Sequence, residues 1–421
     1  MKKIICALLA VVMVLAFAAC GNTETASKGG EKDKVLSISE IEKTVATAME
    51  KVEKANLKIG LICLHDENST YDNNFIQALK EVQQELGLTN DQVLIKTGIA
   101  ESDACYNAAA EFADAGCQIV FADSFGHETY MIQAAKEFPK VQFCHATGTR
   151  SQIELVSNYH NAFATIYEGR YLAGVAAGMK LKEMIDSGKI TADKAVIGYV
   201  GAFNYAEVVS GMTSFFLGAR SICPSATMKV TYTNSWFDIA KEKEAALNLI
   251  NSGCVLISQH ADSEGAPKAC EEKGVPNVAY NISTIPMGPN TAIISSKIDW
   301  APYFKQIINA ALEGGTIPTD FCGTLENGSV KLTELNTKVA APGTQEKIDE
   351  IKAKLISGEV KVFDTKTFTV GGKELSTYTA DIVDKGDFVP DSEAIKDGTF
   401  AESSDRSAPY FDIKYIDGIS E

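Results

Sequence analysis

The chain contains a second copy of its own pattern. Gly116-Cys117 in AGCQIVFAD recurs as Gly253-Cys254 in SGCVLISQH, and Pro139 ahead of VQFC recurs as Pro276 ahead of NVAY, each pair 137 residues apart. Matches at one common offset, with similar apolar patterns around them, imply two similar units in tandem. In each unit, short apolar runs alternate with amphipathic helical stretches, the pattern of a parallel sheet covered by helices on both faces. Strands are predicted over 57–63, 93–96, 118–122 and 141–145, and again over 195–200, 228–232, 255–259 and 277–280. The fold class is therefore α/β, with two Rossmann-like, doubly wound parallel-sheet lobes joined by a hinge. Right-handed crossovers place the ligand loops at the carboxyl ends of the strands, facing each other across a cleft.

The remaining segments are assigned around this duplication. Ser39 and Glu42 form a capping box for a helix that carries Ile41, Val45, Met49 and Val52 on one face. The chain is expected to change lobes just before the small-residue helix opened by Glu168-Gly-Arg-Tyr-Leu-Ala-Gly. It should return after Tyr280, so that a strand over 292–296 and a helix over 300–313 complete the first lobe. The first lobe then comprises 36–163 and 283–316, and the second 164–282 and 317–421. The tail has a looser pattern, with a helix over 346–355 and a hairpin turning on Gly371-Gly372.

At the amino terminus, Lys2 and Lys3 precede an apolar run ending in Ala18-Ala19-Cys20. The run is shorter than the ~20 residues a membrane span needs, and its charged start and small-residue end make residues 1–19 an export signal. Cys20 matches the lipid-bearing cysteine of a bacterial lipobox, although Phe17 stands where Leu is usual. Residues 20–35, rich in Gly, Ser, Thr and Lys, form the expected tether. An ordinary secretory signal with an incidental cysteine is the alternative.

A length of 421 residues exceeds one ordinary core, and a net charge of −16 disfavours nucleic acid and anionic lipid as partners. The ten cysteines are dispersed without a CxxC pair, which argues against structural zinc. Cys63, Cys144 and Cys254 sit in apolar strands as small core residues. A disulfide between distant cysteines stays open.

The loops after the strands are the candidate site. After the first strand comes His65-Asp-Glu-Asn-Ser-Thr-Tyr-Asp-Asn-Asn-Phe75. Tyr71 occupies the place where a calcium loop needs Gly, and Gln77 the place of its bidentate Glu, so calcium is excluded. Amides and carboxylates beside Tyr71 and Phe75 suit a planar, hydrogen-bonding ligand. The alternative is a solvated turn with Phe75 packed on its own helix. Asp123-Ser124-Phe125-Gly126 ends the third strand. In the second lobe Asn234-Ser-Trp-Phe-Asp238 precedes a helix, and Trp236 in this polar loop reads as a stacking platform. Gln259-His260-Ala-Asp262 ends the seventh strand. His65, His127, His145 and His260 all fall at strand ends, but they are scattered without an i, i+4 pair and read as loop hydrogen bonders, with a metal site as the minor alternative. GxSxG, a Walker loop, HExxH and GxGxxG are absent, so neither an enzyme signature nor a cofactor motif appears.

The stretches SFGHETYMIQAAKEFPKVQFCHATG, YEGRYLAG and NSWFDIAKEKEAALNLINSG, the last followed by QHADS, resemble the basic membrane protein family. These are purine-receptor-like substrate-binding lipoproteins of ATP-binding-cassette transporters with the type 1 periplasmic-binding fold. The resemblance runs from about Lys58 to Gly315 and more loosely through the tail. It implies a purine base or nucleoside as ligand, a permease as partner and an extracytoplasmic location on a lipid anchor. In the family an aromatic after the first strand stacks on the base. Here that segment reads Asp72-Asn73-Asn74-Phe75-Ile76-Gln77, which retains Phe75 but departs from the family at Asn74 and Ile76. Trp236 or Phe237 then supplies the opposing ring, while Asp123, Ser124, Asp262 and Asn281 read the edge. Lys297 matches a ribose-binding Lys, and Asn281 stands near a ribose-binding Asp, which favours a base modestly. A sugar receptor of the same fold, an extracytoplasmic nucleoside hydrolase and a signalling sensor are the rival readings.

Overall fold

The computed structural model describes residues 48–421. The export signal, Cys20 and the capping box at Ser39 lie outside the described residues. Met49 and Val52, expected on a helix, are not helical. Their N–H groups donate to the carbonyls of Gly315 and Ala311, the second in the last turn of the helix Ala301–Glu313 and the first just beyond it.

The first sheet contains β1 (Ile59–Ile62), β2 (Val93–Lys96), β3 (Ile119–Ala122), β4 (Gln142–Ala146) and β5 (Tyr159–Ala164). The second contains β6 (Val196–Gly201), β7 (Thr227–Tyr232), β8 (Leu256–His260), β9 (Asn277–Tyr280) and β10 (Ala292–Ile298). Their orders are equivalent: β2-β1-β3-β4-β5 in one and β7-β6-β8-β9-β10 in the other, all parallel. The duplication read from the 137-residue offset is thus a duplication of topology. In each sheet the order reverses beside the first strand, and that switch point opens the crevice where ligands of such sheets bind.

The strand expected to return to the first sheet at 292–296 is β10, and it belongs to the second sheet, beside β9. The chain returns only after Ile298. Its next helix (Ala301–Glu313) packs on the first lobe through Phe304, whose ring lies 5.2 Å from Phe121. β11 (Asp320–Gly323) then extends the first sheet beside β5, and β12 (Val330–Leu332) runs antiparallel to β10 in the second. Asp299 and Ser329, on two of these crossings, are joined by a 2.6 Å backbone hydrogen bond.

The small residues of YEGRYLAG lie on a helix, Ile166–Asp186, packed on a second one, Ala206–Ile222. A Cβ on Gly174 would lie 2.0 Å from the Phe215 carbonyl oxygen, and one on Gly218 would lie 2.0 Å from that of Tyr171. Only glycine permits this backbone approach. The tail, expected with the second lobe, touches both. Ile419–Ser420 pairs with β7, whereas Ser407 donates to Asp320 of the first sheet. The eight described cysteines are free thiols. Among the described residues no helix is long and apolar enough to cross a membrane.

Candidate binding site between the two sheets

Six strand-end loops meet here, those after β1, β3 and β4 from one sheet and those after β6, β7 and β8 from the other. The β1 loop is fixed by the helix that follows it, Thr70–Leu86, whose N-cap Ser69 accepts from the Asp72 N–H. Asp72 in turn accepts from the His65 N–H at 2.8 Å and from the Ser69 hydroxyl at 2.5 Å. Burial works against the Asp72 charge, yet these hydrogen bonds hold its pKa below the usual carboxylate value. Tyr71 donates its hydroxyl to the Asp123 carbonyl at 2.8 Å, tying the β1 loop to the β3 loop.

Asp123 lies behind this wall. One of its carboxyl oxygens accepts from the Leu64 N–H, and the other is buried without a partner. Burial, and then the neighbouring Asp72 charge, push its pKa well up. Cys63, Asp72 and Asp123 bring their ligand-type atoms within 4.8 Å of one another. The Cys63 thiol is likewise pushed far up by burial. Cys63 and Asp123 are therefore held toward their protonated forms beside the charged Asp72.

On the opposite side, Phe203 and Tyr205 from the β6 loop stack at 5.1 Å, and Trp236 meets Phe203 edge-on at 5.0 Å. The Trp236 loop is held by its carbonyl, which accepts from the Asp262 N–H at 2.9 Å, and by Asp238, which caps the next helix. Glu207 lies beneath these rings, with a carboxylate oxygen 3.5 Å from His260 Nε2. Burial pushes Glu207 up to about 7, opposed by the Arg170 charge. Burial, aided by Arg170, keeps His260 neutral. Asp262 is raised well above the carboxylate range by burial and by Glu242. The floor of the cleft thus carries acids that can donate as well as accept hydrogen bonds.

The lobes touch across the cleft. The Thr70 N–H donates to the Asp262 carbonyl at 2.7 Å, His65 lies 5.4 Å from Phe237, and Phe125 lies 5.9 Å from Tyr205. Between them is a narrow inner hollow of about 20 Å³, lined by Tyr71, Ser124, Thr147, Glu207, Trp236 and Asp262 among others. It widens outward into a cavity of about 340 Å³ that shares Phe125, Thr147, Glu207 and Trp236 with it.

Of the residues expected in the site, Tyr71, Ser124, Phe125, Trp236 and Asp262 line this hollow. Asn281 supports it by donating to Asp262 at 3.2 Å. The others lie elsewhere. Phe75 is fully buried and stacks on Trp300, so the Phe75–Trp236 sandwich is not formed, and Tyr71 is the aromatic of that helix which reaches the hollow. Asn73 accepts from Gln77, and Asn74 donates to the Ile298 carbonyl at 2.6 Å beside a lobe crossing. Lys297 lies on β10 opposite Lys331, away from both cavities. Glu207 and Tyr205 were not expected. The 137-residue offset carries the first loop onto AFNYAEV at 202–208, and that correspondence was the available signal.

The family of PnrA-like ABC transporter substrate-binding proteins (Bmp) matches residues 59–366. A purine-binding protein of Brucella abortus is 32% identical over 311 residues, covering 73% of this chain and 83% of that protein. A Haloferax volcanii protein provisionally named as an ABC transporter glucose-binding protein is 33% identical over 261 residues, covering 61% and 62%. The solved ABC transporter solute-binding protein of Conexibacter woesei superposes with a TM-score of 0.58 at 22% identity, over 72% of this chain and 98% of that one. That likeness shows the fold, the two-lobed arrangement of type 1 periplasmic binding proteins.

Proposed function

The chain belongs to the family of PnrA-like ABC transporter substrate-binding proteins, and from that premise we propose that it captures a purine, as free base or nucleoside, between its two sheets. A protein of this family binds a small molecule outside the cytoplasm and delivers it to a membrane permease. The observation that carries the purine reading is the composition of the cleft. The rings of Phe125, Tyr205 and Trp236 wall it, and Glu207 and Asp262 stand at its inner end. Flat rings provide stacking surface for a flat ligand. Acids that can carry a proton match a heterocycle edge that alternates donors and acceptors.

Capture is a closure. The Thr70 to Asp262 contact joins the lobes in this structure, so an open form must break it and swing about the crossings near Ile298 and Gly323. The segment before the described residues supplies the anchor: Cys20 carries lipid and keeps the closed lobes near the permease.

Calorimetric titration with adenine, hypoxanthine, adenosine, inosine and glucose tests the reading. Binding of a purine with no heat from glucose supports it. Glucose binding without purine binding favours the sugar reading suggested by the name of the Haloferax relative, and release of base from inosine favours a hydrolase.

A further inference from the structure

Residues 367–421 lie beyond the family match, yet they form part of the cleft wall. Glu402 accepts from the Ser210 hydroxyl of the second lobe at 2.5 Å. A few residues on, Ser407 donates its N–H to Asp320 of the first lobe at 2.7 Å, and Asp384 accepts from the Thr149 hydroxyl at 2.8 Å. Held at both sides, this segment places Asp381, Arg406 and Tyr410 against the 340 Å³ cavity, facing Phe125, Tyr205 and Trp236.

Asp381 is 8% exposed, and both of its carboxyl oxygens are buried with no hydrogen-bond partner. Arg406 makes no hydrogen bond to them and instead donates from Nε, Nη1 and Nη2 to the backbone carbonyls of Ala408, Ile382 and Pro409. Burial, and then Asp384, push Asp381 up to about 6, so at neutral pH it is ionised and accepts only. A buried carboxylate with two empty oxygens calls for two converging donors. Adjacent hydroxyls on one ring provide them, and the half-buried face of Trp236 suits the C–H surface of such a ring.

We propose that Asp381 is a ligand-binding residue of an outer subsite, built by the C-terminal segment, that accepts hydrogen bonds from a vicinal diol on the ligand. This rests on the purine reading and deepens it, making the ligand a purine ribonucleoside.

The test is calorimetry on the full chain with adenosine, 2′-deoxyadenosine, adenine and ribose, using the parent and the isosteric Asp381→Asn, with melting curves to confirm that both fold. Adenosine should bind more tightly than adenine. Asp381→Asn should weaken adenosine about tenfold or more and leave adenine within about twofold, and loss of the 2′-hydroxyl should cost the parent a similar factor. Equal effects of Asp381→Asn on adenosine and adenine, or none on either, overturn the subsite. If no purine binds, the purine reading fails by itself. Ribose binding that Asp381→Asn abolishes would then uphold the subsite, and its absence would overturn that as well. Should Asp381→Asn fail to fold, Asp381→Ser is read by the same criteria.

Discussion

Phe75 and Trp300 stack with ring centroids 4.3 Å apart and an interplanar angle of 24°, both rings withdrawn into the core of the first lobe. An aromatic that a helix presents one turn after Tyr71 thus serves stability, and Tyr71 serves the cleft. Phe75→Ala should cost about 3–5 kcal/mol in urea unfolding, because it removes a buried ring and leaves a void against Trp300 and Phe121. Trp236→Ala should cost about 1 kcal/mol, the value of its edge contact with Phe203. Calorimetry should give the reverse ranking, with Trp236→Ala weakening ligand binding and Phe75→Ala, under folding conditions, leaving it nearly unchanged.

Asn281 follows β9 with φ of 70°, a left-handed conformation that asparagine tolerates better than most residues. Its amide donates to Asp262 at 3.2 Å and to the Thr70 hydroxyl at 3.4 Å, joining the lobes behind the hollow. Asn281→Asp would replace that donor with a second carboxyl facing Asp262. Losing the donor to a buried group costs about 1–3 kcal/mol. A protonated pair restores one hydrogen bond, so the loss of thermal stability should be larger at pH 8 than at pH 5. The same loss at both values would contradict this account.

The strands that were legible in the sequence are those whose own residues announce burial. Ile59–Ile62 is buried at every position, a continuous apolar run bounded by polar loops. β5 was not legible because its centre, His160-Asn161, is polar and is satisfied from afar. His160 bonds the Pro318 carbonyl, and Asn161 donates to Asp320 and Ser407. Local sequence likewise announces β10 as a strand without saying which sheet it joins, since pairing with β9 decides that. In the site, the loop of Trp236 was legible as an aromatic among polar residues. The contribution of Asp381 and Tyr410 was not, because the tail has little periodic pattern and gains its place only by contact with both lobes.

Gly174→Ala tests whether the pairing of the two long helices depends on backbone contact. The added methyl meets the Phe215 carbonyl at 2.0 Å, where no side chain can turn aside. Overpacking of this kind should cost about 3 kcal/mol or more. Hydrogen exchange should localise the damage to the helices Ile166–Asp186 and Ala206–Ile222 and leave the first sheet protected. Uniform loss of protection would mean that the lobes unfold as one unit.

Glu402 makes the stability of the cleft wall depend on pH. Burial pushes its carboxyl up to about 7 from 4.5, against the hydrogen bonds from Ser210 and Ser403. The folded chain therefore holds a proton that the unfolded chain releases between these values. The stabilising contribution is complete below pH 4.5 and is lost as pH rises through about 7. The full shift corresponds to about 3 kcal/mol at pH 8. Glu402→Gln keeps an acceptor for the Ser210 hydroxyl and cannot ionise. Melting curves should match the parent near pH 4.5, and the variant should melt higher at pH 8. Glu207 and Glu242, also raised to about 7, retain their own share of the slope. The pH dependence should therefore become shallower without disappearing, and a variant that melts below its parent at pH 8 would show that Glu402 is held as a needed charge.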